Sequence, residues 1–359
     1  MKLLPAFLLT AALTLSLGAC ETDLDPNDAY RETTILYAVL DPGQPVQRVS
    51  INKAFLNTNS NAITIAANEP DSVTFPAGAI DAQLQFLRSD STVKVGYPLE
   101  RAPNTVKQPG TFSMSGQVVY QTPAGFPGLD PDTAVSYRVE VRNGRTGTAV
   151  QGVTSLPLVY PNPATGSLFF TSAYVTLGRN QQLDIREFDP APLGTPRVGV
   201  RTQRRAGIYS VDLDFRFLEI VGTDTTRRTL SWAIITNQRA DNTNPDVTRT
   251  LTSEAFFNDF LLRQINPATD APGLRRVVEP NAITFRATAG SPQWGRYQEV
   301  LTASSAITQT TPEFTNVRGG RGLVTGRVQH TVTQNINMLP NGSGRRALAQ
   351  YPQLKFDTN

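Results

Sequence analysis

The chain has 359 residues and a formal net charge of +3, and only 18% of its residues are charged, against about 25% in ordinary soluble domains. Its 26 Gly, 26 Pro and 42 Thr favour short strands joined by turns and disfavour a helical bundle, a coiled coil or a disordered tail. One Cys and one His remove most metal and nucleophile chemistries before any motif is sought.

The chain opens with MKLLPAFLLTAALTLSLGAC: Lys2, then an apolar run from Leu3 to Leu17, small residues, and Cys20. That is the pattern of a secretory signal, and its run of 15 residues is short for a membrane-spanning helix. No later stretch reaches about 20 continuous apolar residues, so no second span is expected. Leu17, Gly18, Ala19 and Cys20 resemble the bacterial lipobox. The resemblance implies a signal peptide over 1–19, cleavage between Ala19 and Cys20, and lipid on Cys20, the only thiol in the chain. Two or more acyl chains anchor a protein stably where one does not.

Residues 20–30 form an acidic tether carrying Glu21, Asp23, Asp25 and Asp28. Such a run reads as a solvated spacer. Glu21, Asp23 and Asp25 also resemble the acidic export signal behind the lipidated Cys of Bacteroidetes-type surface lipoproteins; the two readings are compatible. From Cys20 to Pro157 there are 10 basic and 14 acidic residues, and from Leu158 onward 22 and 16, an asymmetry that supports two domains. The basic residues are spread without runs, so no nucleic-acid partner is expected.

Residues 31–157 hold seven short alternating segments between turn clusters, the spacing of an immunoglobulin-like or fibronectin III-like β-sandwich. Within LDPDTAVSYRVEV, Tyr137 resembles a tyrosine corner, its hydroxyl directed to upstream backbone, and Asp130 and Asp132 read as turn formers rather than calcium ligands. The Pro-rich stretch 155–166 predicts the boundary, with a second β-rich domain over 158–359.

In the second half, YSVDLDFRFLEI alternates, with Tyr209, Val211, Leu213, Phe215 and Phe217 on one face and Ser210, Asp212, Asp214 and Arg216 on the other. A turn at 222–224 leads into TRRTLSWAII, so Asp212 and Asp214 are expected on a solvated face near Arg216 or Arg227. Two helices are predicted. One, near 253–264, has Thr252 or Ser253 as cap, Phe256, Phe257, Phe260 and Leu261 as its apolar stripe, and Pro267 as its stop. The other, near 291–304, has Ser291 as cap and Trp294, Tyr297, Val300 and Leu301 as a core stripe. The chain closes on a Gly-rich turn at 319–322 and a strand carrying His330.

The lipobox, the sandwich ending in YRVEV, the TAVQGVTSLP exit and the run PEFTNVRGGRGLVTGR are similar to uncharacterised Bacteroidetes outer-membrane lipoproteins, the DUF4249-like group of domains of unknown function. The resemblance implies an outer-membrane location, lipid-anchored at Cys20 and exposed at the cell surface, with a periplasm-facing placement as the alternative, a β-rich architecture, and a TonB-dependent receptor or an extracellular ligand as partner; it brings no catalytic residue.

No catalytic constellation is found. His330 lies in an alternating strand with no GxSxG elbow, and neither a Walker A nor a GxGxxG pattern occurs, so no cofactor and no metal are expected. Asp212 and Asp214 are the best carboxylate pair for a carbohydrate-active enzyme. The expectation is a lipid-anchored envelope protein serving as a binding or accessory module, with that enzyme and a passive structural surface protein as alternatives.

Overall fold

The computed structural model describes residues 33–54, 73–102, 118–129, 135–157, 160–161, 168–169, 173–175, 197–201, 205–239, 246–251, 254–303, 313–334, 336, 338–340 and 342–358. The lipobox, Ala19, Cys20, Glu21, Asp23, Asp25, Asp130, Asp132 and the predicted caps Thr252 and Ser253 lie outside these residues.

The chain is mainly β. The first half supplies β1 (Thr33–Leu40), β2 (Arg48–Ala54), β3 (Ile80–Leu87), β4 (Val93–Pro98), β5 (Glu100–Arg101), β6 (Val119–Gln121), β7 (Ser136–Asn143) and β8 (Ala149–Thr154). Period-two alternation sorts them: in β1, Leu36, Ala38 and Leu40 are buried while Tyr37 and Val39 face outward. Two sheets close over a core that includes Leu36, Ile51, Leu84, Phe86, Tyr137 and Val139. The Tyr137 ring is fully buried and meets Phe86 edge-on at 4.9 Å. The upstream backbone a tyrosine corner would engage, 130–134, lies outside the described residues.

Four short strands follow: β9 (Tyr160–Pro161), β10 (Leu168–Phe169), β11 (Ala173–Val175) and β12 (Arg197–Arg201). Then come β13 (Ile208–Val221), β14 (Asp224–Gln238) and β15 (Asp246–Thr250). The β13–β14 hairpin turns at Gly222, whose φ of +59° is the left-handed conformation that glycine adopts freely. The first helix, α1, is π-helical over Ala255–Leu261 and continues as one α turn over Leu262–Gln264. Pro267 opens a separate 3-10 turn, Pro267–Thr269. Strand β16 (Arg275–Gly290), helix α2 (Pro292–Ala303), strands β17 (Val317–Arg318) and β18 (Arg321–Gln334), and helix α3 (Ser343–Ala349) complete the order.

The two halves are joined through β18. Its first part, Arg321–Gly326, pairs in parallel with β1, and its second, Arg327–Gln334, pairs antiparallel with β16. The result is one eight-stranded sheet, β14-β13-β16-β18-β1-β2-β6-β5, facing a five-stranded sheet, β17-β8-β7-β3-β4, in its first half. Val324 therefore belongs to the first core and Val328 to the second. Leu156, at the start of the predicted boundary, is fully buried against this junction: a Cβ at Gly326 would stand 2.5 Å from its side chain.

The second core lies between the inner face of β13–β16 and helices α1 and α3. Tyr209, Val211, Leu213, Phe215 and Phe217 come from the strand; Phe256, Phe257, Phe260 and Leu261 come from α1, where the predicted stripe is buried. Helix α2 differs from its expectation. It lies on the outer face of the sheet, so Trp294, Tyr297 and Val300 are only half-buried and Leu301 is exposed. Ser291 does not spend its hydroxyl on capping; that hydroxyl meets Thr325 Oγ1 at 2.7 Å in the buried junction.

Candidate functional site

The outer face of β13, β16 and β18 is a long sheet surface lined by polar side chains. Register places them in rows: Asp214 opposite Thr284, which is opposite Thr333; Asp212 opposite Arg286, which is opposite Thr331; Ser210 opposite Thr288, which is opposite Gln329. His330 is paired with Ala287, itself paired with Val211, so it belongs to the other face and is not brought to this strip.

The arginine that meets the carboxylates is Arg286, not Arg216 or Arg227 as the sequence suggested. Arg286 donates to Asp214 Oδ2 at 2.6 Å, and Ser231 Oγ donates to Asp214 Oδ1 at 2.7 Å. Arg216 reaches the Asn281 carbonyl, and Arg227 on β14 pairs with Glu279 on β16, across β13. Asp212 and Asp214 lie on the outer face as expected, but both are partly buried, the Asp214 side chain to 16% exposure with Arg286 lying against it.

Asp212 is left as the unpartnered member. Its register partner Arg286 is bonded to Asp214, and Asp212 carries no hydrogen bond or ion pair to a described residue. Burial pushes its carboxyl above the ordinary value; Arg286 opposes that shift and Asp214 adds to it. Beside Asp214, the Thr284 hydroxyl is buried and likewise has no described partner, although Thr284 is only 9% exposed.

The strip runs into a groove beneath α2. Asn237 N donates to Ser210 Oγ at 3.0 Å, and the Asn237 side-chain amide donates to Gln298 Oε1 on α2 at 3.3 Å. The groove holds about 410 Å³ and is lined by Ile208, Asn237, Arg239, Gln298, Glu299 and Thr302. Arg239 and Glu299 form an ion pair across it. Trp294 packs at the same end: a Cβ at Gly290 would come within 2.7 Å of its ring, so only glycine lets the helix lie this close.

A second cleft, of about 320 Å³, opens beside Arg276, Glu219 and Asp270. Its charges are mutually engaged. Arg276, 2% exposed, grips Asp270 through two nitrogens at 2.6 and 3.0 Å, Glu219 at 3.0 Å, and the Leu354 carbonyl at 2.9 Å. This network fastens the C-terminal segment to β16, where Arg276 N donates to the Lys355 carbonyl and Asp357 N donates to the Arg276 carbonyl.

Among the described residues no group of three or more His, Cys, Asp or Glu is placed to hold a metal ion, and no helix is long and apolar enough to cross a membrane. Sequence reasoning found Asp212 and Asp214 through strand alternation. It missed Arg286, Thr284 and the α2 groove, whose only signal was the polar alternation Thr284, Arg286, Thr288 in the next strand. No protein-family model matches this chain, and no curated protein matches it in sequence.

Proposed function

We propose that the protein is a lipid-anchored outer-membrane lipoprotein of the cell envelope, displayed at the cell surface, that works as a binding or accessory module with an envelope partner of the TonB-dependent receptor class. The observation that carries this reading is Leu17-Gly18-Ala19-Cys20 at the end of an apolar run, with the chain's only thiol at the position that takes lipid. The polar strip and groove support a binding role: they offer a fixed, part-buried set of donors and acceptors on a rigid sheet. Glu21, Asp23 and Asp25 serve export in this reading.

The test is direct. Mass spectrometry of the mature N-terminal peptide should find acylated Cys20, and Cys20→Ser should strand the precursor or release a soluble form. An unmodified Cys20 in the mature protein rejects the anchor. Replacing Glu21, Asp23 and Asp25 by Ala should leave acylation intact and reduce protease shaving from intact cells. Co-purification from solubilised outer membrane should yield a receptor, and its repeated absence counts against the accessory role.

One arrangement favours a second reading, a carbohydrate-active enzyme: Asp212 and Asp214 stand two residues apart on one face of β13, and burial holds the Asp212 carboxyl above its ordinary value. Both Asp214 oxygens are engaged by Arg286 and Ser231, which suits a structural anchor better than a nucleophile or base. Glycoside turnover abolished by Asp212→Asn and by Asp214→Asn would replace the binding reading with the enzymatic one.

A further inference from the structure

We infer that the strip of Asp212, Arg286 and Thr284, together with the adjoining groove under α2, binds a neutral polyhydroxylated ligand, that is, an oligosaccharide. The inference rests on the proposed binding role of the protein and names its ligand class and its site.

Charge decides the class first. The strip holds Asp212 and Asp214 against Arg216 and Arg286, and the groove holds Glu299 against Arg239. Each part is balanced, so a cation gains from one member and loses to the other, and an anion does the reverse. A neutral ligand suffers neither penalty. Side-chain chemistry decides the rest. Sugar hydroxyls both donate and accept. The Asp212 carboxylate, which makes no hydrogen bond to a described residue, accepts from them; the Arg286 guanidinium donates, and the amides of Asn237 and Gln298 both donate and accept.

The open valences sit where such a ligand would lie. Thr284 and Asp212 occupy diagonal positions on one sheet face, and neither polar group has a described partner. Asp212 is half-buried, so its carboxylate stays open to a ligand lying on this face. From that face the row Asp212, Ser210 leads to Asn237 and the groove, whose 410 Å³ lies within the range of small-ligand sites. Ile208, in the groove lining, offers apolar surface for the C–H face of a sugar ring.

The full-length protein, purified in a detergent without a sugar headgroup, should be titrated calorimetrically with neutral gluco-, manno-, xylo- and galacto-oligosaccharides. Oligolysine and an acidic oligosaccharide serve as charged probes. Saturable binding of at least one neutral series is expected, weakened about tenfold or more by Asp212→Ala and by Gln298→Ala, each losing hydrogen bonds to the ligand. Asp212→Asn should retain part of the affinity, because its amide still accepts one hydrogen bond. Thermal melts of each variant separate lost binding from lost fold.

Binding of no neutral series overturns the inference, as does tighter binding of oligolysine or of the acidic sugar, or affinity unchanged in both alanine variants. Failure here leaves acylated Cys20 and a receptor partner standing. Unmodified Cys20 leaves oligosaccharide binding standing, so the two readings fall separately.

Discussion

Arg327 Nε donates to Asp41 Oδ2 at 2.9 Å across 286 positions of sequence, and it does so at the point where β18 leaves β1 and takes β16 as its neighbour. The Asp41 side chain is 5% exposed and its second oxygen accepts from Gly43 N, so the carboxylate is held inside the junction rather than on its rim. Ser291 and Thr325 share a buried hydrogen bond beside it. The seam between the two cores is therefore a continuous strand fixed by polar bonds on one side and by Leu156 on the other.

Arg327→Ala should accordingly loosen the seam. It leaves Asp41 buried and short of a partner, at a cost of about 1–3 kcal/mol. Urea unfolding should show a lower midpoint, and Asp41→Ala/Arg327→Ala should cost less than the sum of the single variants. A midpoint unchanged in Arg327→Ala would mean the pair is ornamental to stability.

The Asp270–Arg276 pair should be worth more, because Arg276 is almost wholly buried and holds the C-terminal segment as well. Asp270→Ala leaves that guanidinium with Glu219 and one carbonyl, and breaking a buried pair on one side costs about 3–5 kcal/mol. The hydrogen bonds from Arg276, followed by its charge and the ammonium of Lys355, hold the Asp270 carboxyl below its ordinary value of 3.8. A depressed folded value gives stability that is fully present above 3.8 and is lost as pH falls through the folded value. The stability gap between the wild type and Asp270→Asn, measured in urea, should be level near neutrality and shrink only in acid below 3.8.

Asp212 should behave with the opposite sign. Burial raises its carboxyl above 3.8, so the folded state resists ionisation, and the penalty is absent in acid and grows as pH rises through the raised value. Asp212→Asn should therefore melt at a higher temperature than the wild type at pH 7 and lose that advantage as pH is lowered into the carboxylate range. A variant less stable than the wild type at pH 7 would show that Asp212 makes a stabilising contact. Greater stability with weaker ligand binding is the trade expected of a site held ready for a partner.

These contrasts also show how far the sequence reaches. Alternation in 209–217 separated the core face from the polar face, and the Phe256–Leu261 stripe marked a buried helix, because both signals are local and periodic. The partner of Asp214 was not legible: Arg286 is 72 positions away, and local charge spacing pointed to Arg216 and Arg227 instead. Helix α2 misled for a related reason. Its aromatics have helical spacing, yet spacing cannot tell a core face from the outer face of a sheet, where Trp294 lies on Gly290. Nor could it show that the last long strand would insert between β1 and β16.

That insertion carries the final prediction. In the parallel pairing, Gly322 lies opposite Leu36 with φ of +124°, a conformation open to glycine and hardly to any other residue. Space is refused as well: a Cβ there would stand 2.0 Å from the Leu36 carbonyl oxygen, and backbone cannot step aside as a flexible side chain can. Gly322→Ala must push β1 and β18 apart or twist them out of register, losing the strand that both cores share. Gly222 is the control. Its φ of +59° is within reach of asparagine, and nothing lies within 4 Å of the Cβ position. Gly222→Asn should cost at most about 1 kcal/mol. Gly322→Ala should destroy cooperative melting or prevent recovery of folded protein, a loss of at least about 3 kcal/mol. If circular dichroism and thermal melts of the two variants were alike, the parallel β1–β18 pairing would have to be abandoned, and with it the single sheet that links the junction, the strip and the groove.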